Sequence, residues 1–214
     1  MSMAGIAAEP QIHVVDDEPA IRDALSWLFA SRGVAVTGWP SGEALLDALP
    51  LAGPGCIILD VRMEGLSGPE VFARLQAAGA DMPVIFLTGH AEVPVAVQAL
   101  KDGAHDFVEK PFNDNQIVDR ALAAAAAHAR RLTEAAARQA LSDRLATLSE
   151  REAEVMRLML QGSLNKQMAD RLGIAMRTVE VHRGRVLMKM GVRNAVELAA
   201  LLAGHALDPP RAAG

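Results

Sequence analysis

The sequence predicts an α/β domain with a five-stranded, doubly wound parallel sheet, followed by a helical linker and a smaller all-α domain. Three observations carry this reading. Short apolar runs alternate with helical patterns five times through the first half of the chain. From Ala121 to Leu148 there is neither Gly nor Pro, and Ala, Arg and Leu dominate, a composition that favours unbroken helix. Beyond Ser149 only helical periods recur.

The strands are expected at residues 12–15, 34–37, 56–59, 84–87 and 107–108. "CIIL" and "VIFL" are unbroken apolar runs, the pattern of strands buried on both faces. Helices fall between them at residues 20–30, 42–49, 69–77, 93–101 and from Asn113 onward. Ser67, with Glu70 three residues on and Pro69 in the first turn, marks one helix start. The long segment from 121 is one helix or two with a break near Ser142 and Asp143. Leu141, Leu145 and Leu148 recur at helical spacing, but no heptad is sustained, so a helical linker is expected rather than a strong coiled coil. Ser149 with Glu152 and Asn194 with Glu197 open two later helices as capping boxes. The tail "DPPRAAG" is expected to be unstructured.

The chain has 214 residues, 51% of them hydrophobic, enough for a sizeable core in one or two domains. No apolar run approaches the roughly 18–20 residues that cross a bilayer, and "MSMAGIAAEP" lacks the pattern of a secretory signal. The single cysteine, Cys56, excludes an internal disulfide framework, and its place at the head of a buried strand reads as inert packing. A cytoplasmic protein without membrane contact is expected. Residues 1–128 carry 7 basic against 17 acidic side chains, and the remainder 14 against 9. Such asymmetry points to two modules, the second facing a polyanion.

Three carboxylates follow buried strands: Asp16 and Asp17 after the first, Asp60 after the third. In open parallel sheets ligands bind outside the carboxyl ends of the strands. Clustered carboxylates repel unless a cation neutralises them, and oxygen ligands suit Mg2+. Thr88 follows "VIFL" with a hydroxyl, and Lys110 follows "DFVE" with an ammonium. Pro111 after it favours a sharp turn, cis or trans. Taken singly, each is an ordinary cap or loop residue. Together at successive strand ends they form a site for a metal-bound phosphoryl group.

"VVDDE", "ILDVRM", "LTGH" and "EKPF", at these intervals, resemble the receiver domain of bacterial two-component response regulators, over residues 11–126. The resemblance implies a flavodoxin-like fold with Asp60 as phosphoacceptor. It implies Mg2+ held by Asp16, Asp17, Asp60 and the backbone carbonyl of Arg62, with Asp16 acting largely through water. Thr88 and Lys110 would hold phosphoryl oxygens, and Phe107 would be the switch aromatic. Glu64 departs from the pattern, standing where the family commonly has proline.

The basic module reads as helix, tight turn, helix from Leu164 to Val192. Met168, Ala169 and Leu172 face inward on the first helix, Gly173 ends it, and Val179, Val186 and Met190 line the second. "LSEREAEVMRLMLQG", "NKQMADRLGIAMRTVEVHR" and "KMGVRN" resemble the LuxR/FixJ-type helix-turn-helix output domain, here residues 148–203, leaving 127–147 as linker. With the receiver, the whole chain is similar to FixJ-type regulators. That resemblance implies DNA contacts from Asn165, Lys166 and Gln167 to phosphates and from Thr178, Glu180, Val181 and Arg183 in the groove. His182 reads as a packed or phosphate-facing residue. Glu180 can accept from cytosine N4, and Val181 can pack on a thymine methyl.

The expected protein is thus a response regulator rather than an enzyme, beyond slow loss of its own phosphoryl group. Its expected partners are a sensor histidine kinase, double-stranded DNA, RNA polymerase and, once phosphorylated, a second copy. The dimer face is expected at residues 93–101 and 106–108; the apolar stripe of Val196, Leu198, Ala199, Leu201 and Leu202 on the last helix can add a second contact, although core packing alone explains most of it. Two rivals are weighed against it. An aspartate-nucleophile phosphohydrolase would place a general acid two residues after Asp60, where Arg62 cannot serve. A receiver working without phosphate would be expected to have lost an acidic ligand, the Thr or the Lys, and none is missing.

Overall fold

The computed structural model describes residues 10–89 and 92–204; the expected disordered tail lies outside them. The chain divides into two compact units, Met1–Thr133 and Glu134–Gly214. The first alternates β1 (Gln11–Val15), α1 (Pro19–Ala30), β2 (Val36–Trp39), α2 (Gly42–Asp47), β3 (Gly55–Asp60), α3 (Gly68–Ala77), β4 (Val84–Thr88), α4 (Val93–Lys101) and β5 (Asp106–Glu109). The long helix α5 (Asp114–Ala146) follows. All strand pairs are parallel, in the order β2-β1-β3-β4-β5.

Alternation along the buried strands sorts their side chains onto two faces. Cys56 and Ile58 pack with Leu25 and Phe29 of α1 and Ile117 and Val118 of α5. Ile57 and Leu59 pack on the other face with Leu45 of α2, Val71, Phe72 and Leu75 of α3, and Ala99 of α4. With both faces covered, polar groups gather at the strand ends; His13 within β1 is the buried exception, its Nδ1 accepting from Trp39 Nε1 at 3.2 Å.

Two elements of this unit, β2 and α2, differ by two residues from the sequence reading, and the others by at most one. β2 begins two residues later than expected, pairing Ile12 with Val36 and Val15 with Trp39. The end of α1 is the cause: Gly33 turns at φ +73°, and the Val34 N–H donates to the Phe29 carbonyl at 3.1 Å. Tied to the helix, that amide cannot begin the ladder. Likewise α2 stops at Asp47 rather than Leu49, because the residue before Pro50 is kept out of the helical region.

The second unit holds α6 (Glu150–Leu160), α7 (Asn165–Leu172), α8 (Met176–Met190) and α9 (Ala195–Ala203). Its core gathers Val155, Met156, Met159, Met168, Val179, Val186, Met190, Leu198 and Leu202. Ser149 and Glu152 form the expected capping box. Asn194 caps α9, while Glu197 reaches past it to the Arg193 N–H.

Helix α5 runs through Ser142 and Asp143 without a break. Both ends of the segment read as linker are anchored. His128 is buried, its Nδ1 accepting from the Gly55 N–H at 3.1 Å, and Leu141 is buried in the core of the second unit. Residues 133–140 between them are exposed throughout.

Candidate functional site

The carboxyl ends of β1 and β3 adjoin where the strand order reverses, the place where open parallel sheets bind ligands. β1 leads into Asp16 and Asp17, and β3 ends on Asp60. One carboxylate oxygen from each lies within 4.8 Å of the others. Asp16 and Asp60 are buried and Asp17 is half-buried.

Each carboxylate is aimed by a backbone N–H. Glu18 donates to Asp16 Oδ1 at 2.9 Å, Arg62 to Asp60 Oδ2 at 3.1 Å and Glu64 to Asp17 Oδ2 at 2.9 Å. The Glu64 contact gives its departure from the family pattern a meaning, since proline has no N–H to donate. Arg22 Nη1 fixes the loop from the other side, donating to the carbonyls of Asp16 at 2.6 Å and Asp17 at 3.0 Å. Gly68 lets α3 start hard against the site: its N–H donates to the Val61 carbonyl at 3.0 Å, and a Cβ there would lie 2.2 Å from the Asp60 carbonyl oxygen.

Lys110 arrives from β5. Its N–H donates to the Thr88 carbonyl at 2.8 Å, and its peptide bond to Pro111 is cis. The ammonium lies 2.7 Å from Asp60 Oδ1 and 3.0 Å from Asp16 Oδ2. Burial pushes the Asp60 carboxyl above its ordinary value; Lys110 opposes this and the Asp16 charge adds to it. For Lys110, burial acts downward, but hydrogen bonds and charges from Asp60 and Asp16 together outweigh it and hold the amine above its usual value. One fixed positive charge therefore faces three carboxylates. The uncompensated charge and the all-oxygen donor set fit a hard divalent cation.

Thr88 is fully buried at the end of β4, its hydroxyl donating to the Gly89 carbonyl at 3.1 Å. Phe107 is half-buried against the α4 side of the core, and its carbonyl accepts from Arg120 Nη1 at 3.1 Å. The structure thus gathers Asp16, Asp17, Asp60 and Lys110, with Thr88 beside them and Phe107 on the neighbouring strand. The Glu18, Arg22 and Glu64 contacts escaped sequence reasoning, because nothing in the sequence says which backbone group a loop side chain will meet.

In the second unit, α7 ends at Gly173 in the left-handed conformation, φ +64°, and α8 follows after a short turn. Val179, Val186 and Met190 are fully buried. The opposite side of α8 exposes Arg177, Val181, Gly184, Arg185 and Met188, with Thr178 and Glu180 exposed at its edges. Arg177 and Arg185 were not among the expected contacts, although counting helical turns from the buried stripe locates both. His182 and Arg183 lie nearer that stripe and are half-buried. His182 Nδ1 is buried without a hydrogen-bond partner among the described residues, and Arg183 lines a groove with Asn165 and Ala195. Lys166 and Gln167 are exposed on the first turn of α7 and Asn165 is half-buried; the Gln167 side-chain oxygen accepts from the Leu164 N–H at 2.9 Å. Lys189 has a structural task, reaching Glu152 Oε2 at 2.6 Å and the Thr147 carbonyl at 2.8 Å. Among the described residues, no helix is long and apolar enough to cross a membrane.

Comparison with known proteins agrees with both halves. The response regulator receiver domain matches residues 12–122, and the luxR family of bacterial regulatory proteins matches residues 146–202. The C4-dicarboxylate transport transcriptional regulatory protein DctR of Rhodobacter capsulatus is 65% identical over 190 residues, 88% of this chain and 96% of that protein. The transcriptional regulatory protein FixJ of Azorhizobium caulinodans is 46% identical over 197 residues, 91% of this chain and 93% of FixJ. Among solved structures, the response regulator StyR superposes with a TM-score of 0.86 at 34% identity, covering 92% of this chain and 100% of StyR. The chain belongs to the two-component response regulators, with a receiver domain followed by a LuxR-type DNA-binding domain.

Proposed function

We propose that Asp60 accepts a phosphoryl group from a sensor histidine kinase, and that the modified protein dimerises and binds specific double-stranded DNA to regulate transcription. The supporting observation is the convergence of Asp60, Asp16 and Asp17 on one another, with Lys110 touching two of them at 2.7 and 3.0 Å. In the transfer, an Asp60 carboxylate oxygen attacks phosphorus on the kinase phosphohistidine. The O–P bond forms as the N–P bond breaks, and the leaving imidazole nitrogen keeps the electron pair and takes up a solvent proton. Asp16, Asp17, Asp60 and the Arg62 carbonyl would hold Mg2+, which supplies charge neutralisation for the transferring group. Lys110 shifts from the Asp60 carboxylate to a phosphoryl oxygen. The Thr88 hydroxyl turns to another, and Phe107 moves inward behind it.

The receiver dimerises through α4 and β5 in this reading, where Val95 and Val97 are 42% and 40% exposed. Lys166, with Asn165 and Gln167, supplies phosphate contacts, and Thr178, Glu180 and Val181 supply base preference. Arg177 and Arg185 join them from the exposed side of α8. His182 and Arg183 act from its half-buried flank. The DNA-bound dimer would act through RNA polymerase in the cytoplasm, and Asp60 would lose its phosphoryl group slowly. The name of the DctR relative makes dicarboxylate-transport promoters the first DNA to test.

The test is intact-mass spectrometry after incubation with Mg2+ and an acyl phosphate. One phosphoryl group should appear on the wild type and none on Asp60→Asn; undiminished phosphorylation of the variant refutes the assignment. Analytical ultracentrifugation of the same samples should show dimers only after modification. A constitutive dimer with unchanged DNA affinity refutes the coupling.

A further inference from the structure

The donors nearest Lys110 at the end of β4 are engaged by acceptors of the protein itself. The Thr88 hydroxyl donates to the Gly89 carbonyl at 3.1 Å. The Gly89 N–H donates to Glu92 Oε2 at 2.9 Å, and the Glu92 N–H donates back to the Gly89 carbonyl at 2.9 Å. The other Glu92 oxygen, Oε1, is ion-paired with Arg62 Nε. Arg62 is in turn the residue whose N–H holds Asp60 Oδ2 at 3.1 Å. Contacts therefore run from Asp60 through Arg62 and Glu92 to Gly89 and Thr88. Within this chain the Glu92 side chain is only 14% exposed while that of Arg62 is 81% exposed, so the carboxylate is held in place and the guanidinium serves mainly as its counter-charge.

We infer that Glu92 is an internal competitor of the phosphoryl group, a positioning residue whose carboxylate occupies the Gly89 N–H in the resting protein. The inference rests on Asp60 as the phosphoacceptor. A carboxylate and a phosphoryl oxygen are both anionic acceptors, and charge-assisted bonds to either are strong. One N–H serves one of them well, and their like charges repel. Occupation of the site on Asp60 therefore opposes the Glu92–Gly89 bond. The Thr88 hydroxyl is held separately, on the Gly89 carbonyl, which it shares with the Glu92 N–H. Arg62 sets the threshold by holding the Glu92 carboxylate in position through the ion pair.

The experiment is calorimetric binding of beryllofluoride, a phosphoryl mimic, to the full chain with Mg2+. Glu92→Ala should bind about tenfold more tightly than wild type, since one charge-assisted hydrogen bond no longer has to be broken. Glu92→Gln, which keeps an acceptor without charge, should fall between them. Arg62→Ala should tighten binding less, and should add nothing in the Glu92→Ala background. The Gly89 amide resonance of the wild type should shift on binding, a readout independent of how well the variants fold. Unchanged or weaker binding by Glu92→Ala, with normal wild-type binding, overturns the competitor and leaves the Asp60 reading standing. So does an unmoved Gly89 resonance in the bound wild type. Wild type that binds no beryllofluoride overturns both.

Discussion

In the receiver, three carboxylates and one ammonium meet at adjacent strand ends, with negative charge in excess. In the DNA-binding domain one carboxylate, Glu152, meets one ammonium, Lys189, at 2.6 Å, and the charges cancel. The first arrangement leaves negative charge uncompensated and fits a hard divalent cation. The second is closed: it ties α8 to α6, so that the exposed side of α8 is presented by a rigid support. Charge clustering marks a place where something binds; charge pairing marks a place where something is held.

Acid should separate the two. The hydrogen bond from Lys189 holds the Glu152 carboxyl below its ordinary value, helped by the Ser149 N–H. A depressed carboxyl contributes stability above the unfolded-state value and loses it as pH falls through the folded one. Lys189→Met should therefore cost the DNA-binding domain about 2 kcal/mol at neutral pH, and the gap from wild type should close below the ordinary glutamate range. Hydrogen exchange of α6 and α8 amides across a pH series checks both. A gap that persists in acid means that Lys189 acts by packing, and the contrast with the receiver fails.

Asp60 should behave in the opposite sense. Its carboxyl is raised by burial, so the folded receiver binds that proton more readily than the unfolded chain, and this group adds stability as pH falls from the raised value toward the ordinary one. Without Mg2+, Asp60→Asn should stabilise the receiver at pH 7 by about 1 kcal/mol, the scale of relieving a partly compensated buried charge. The advantage should shrink on acidification. Receiver amide exchange measures it, and a destabilised Asn variant would mean that Lys110 fully compensates the site.

The smallest effect concerns the exposed charges. Lys166→Ala should leave stability unchanged, weaken binding to all DNA sequences alike and flatten the salt dependence by about one counterion. Binding measured over a salt series on specific and random duplexes decides it. An altered base preference with an unchanged slope would place Lys166 among the groove readers.

The same contrast explains what could be read in the sequence. Parallel topology carries strand ends to one edge whatever the loops do, so Asp16, Asp17, Asp60, Thr88 and Lys110 were legible from their positions after apolar runs. The register of β2 was not, because it depends on the Val34 amide being taken by the end of α1. Nor were the contacts of Arg22 and Glu92 with backbone groups, which are fixed only by the folded loops. On α8 a single residue turns a side chain by about 100°. Nomination by motif alone therefore included the half-buried His182 and Arg183 and passed over the exposed Arg177 and Arg185.

Cys56 sits in β3 with no solvent exposure, and burial drives its thiol far above the usual range. No other thiol exists in the chain. Thiol-directed reagents should therefore find the folded native protein silent, and a cysteine introduced at Ala136, on the exposed stretch of α5, would take a fluorophore or spin label alone. Run the other way, slow labelling of Cys56 becomes a clock for opening of the central sheet. Its rate with and without Mg2+ would report, from inside the core, how strongly an occupied acidic crevice grips the strand that carries Asp60.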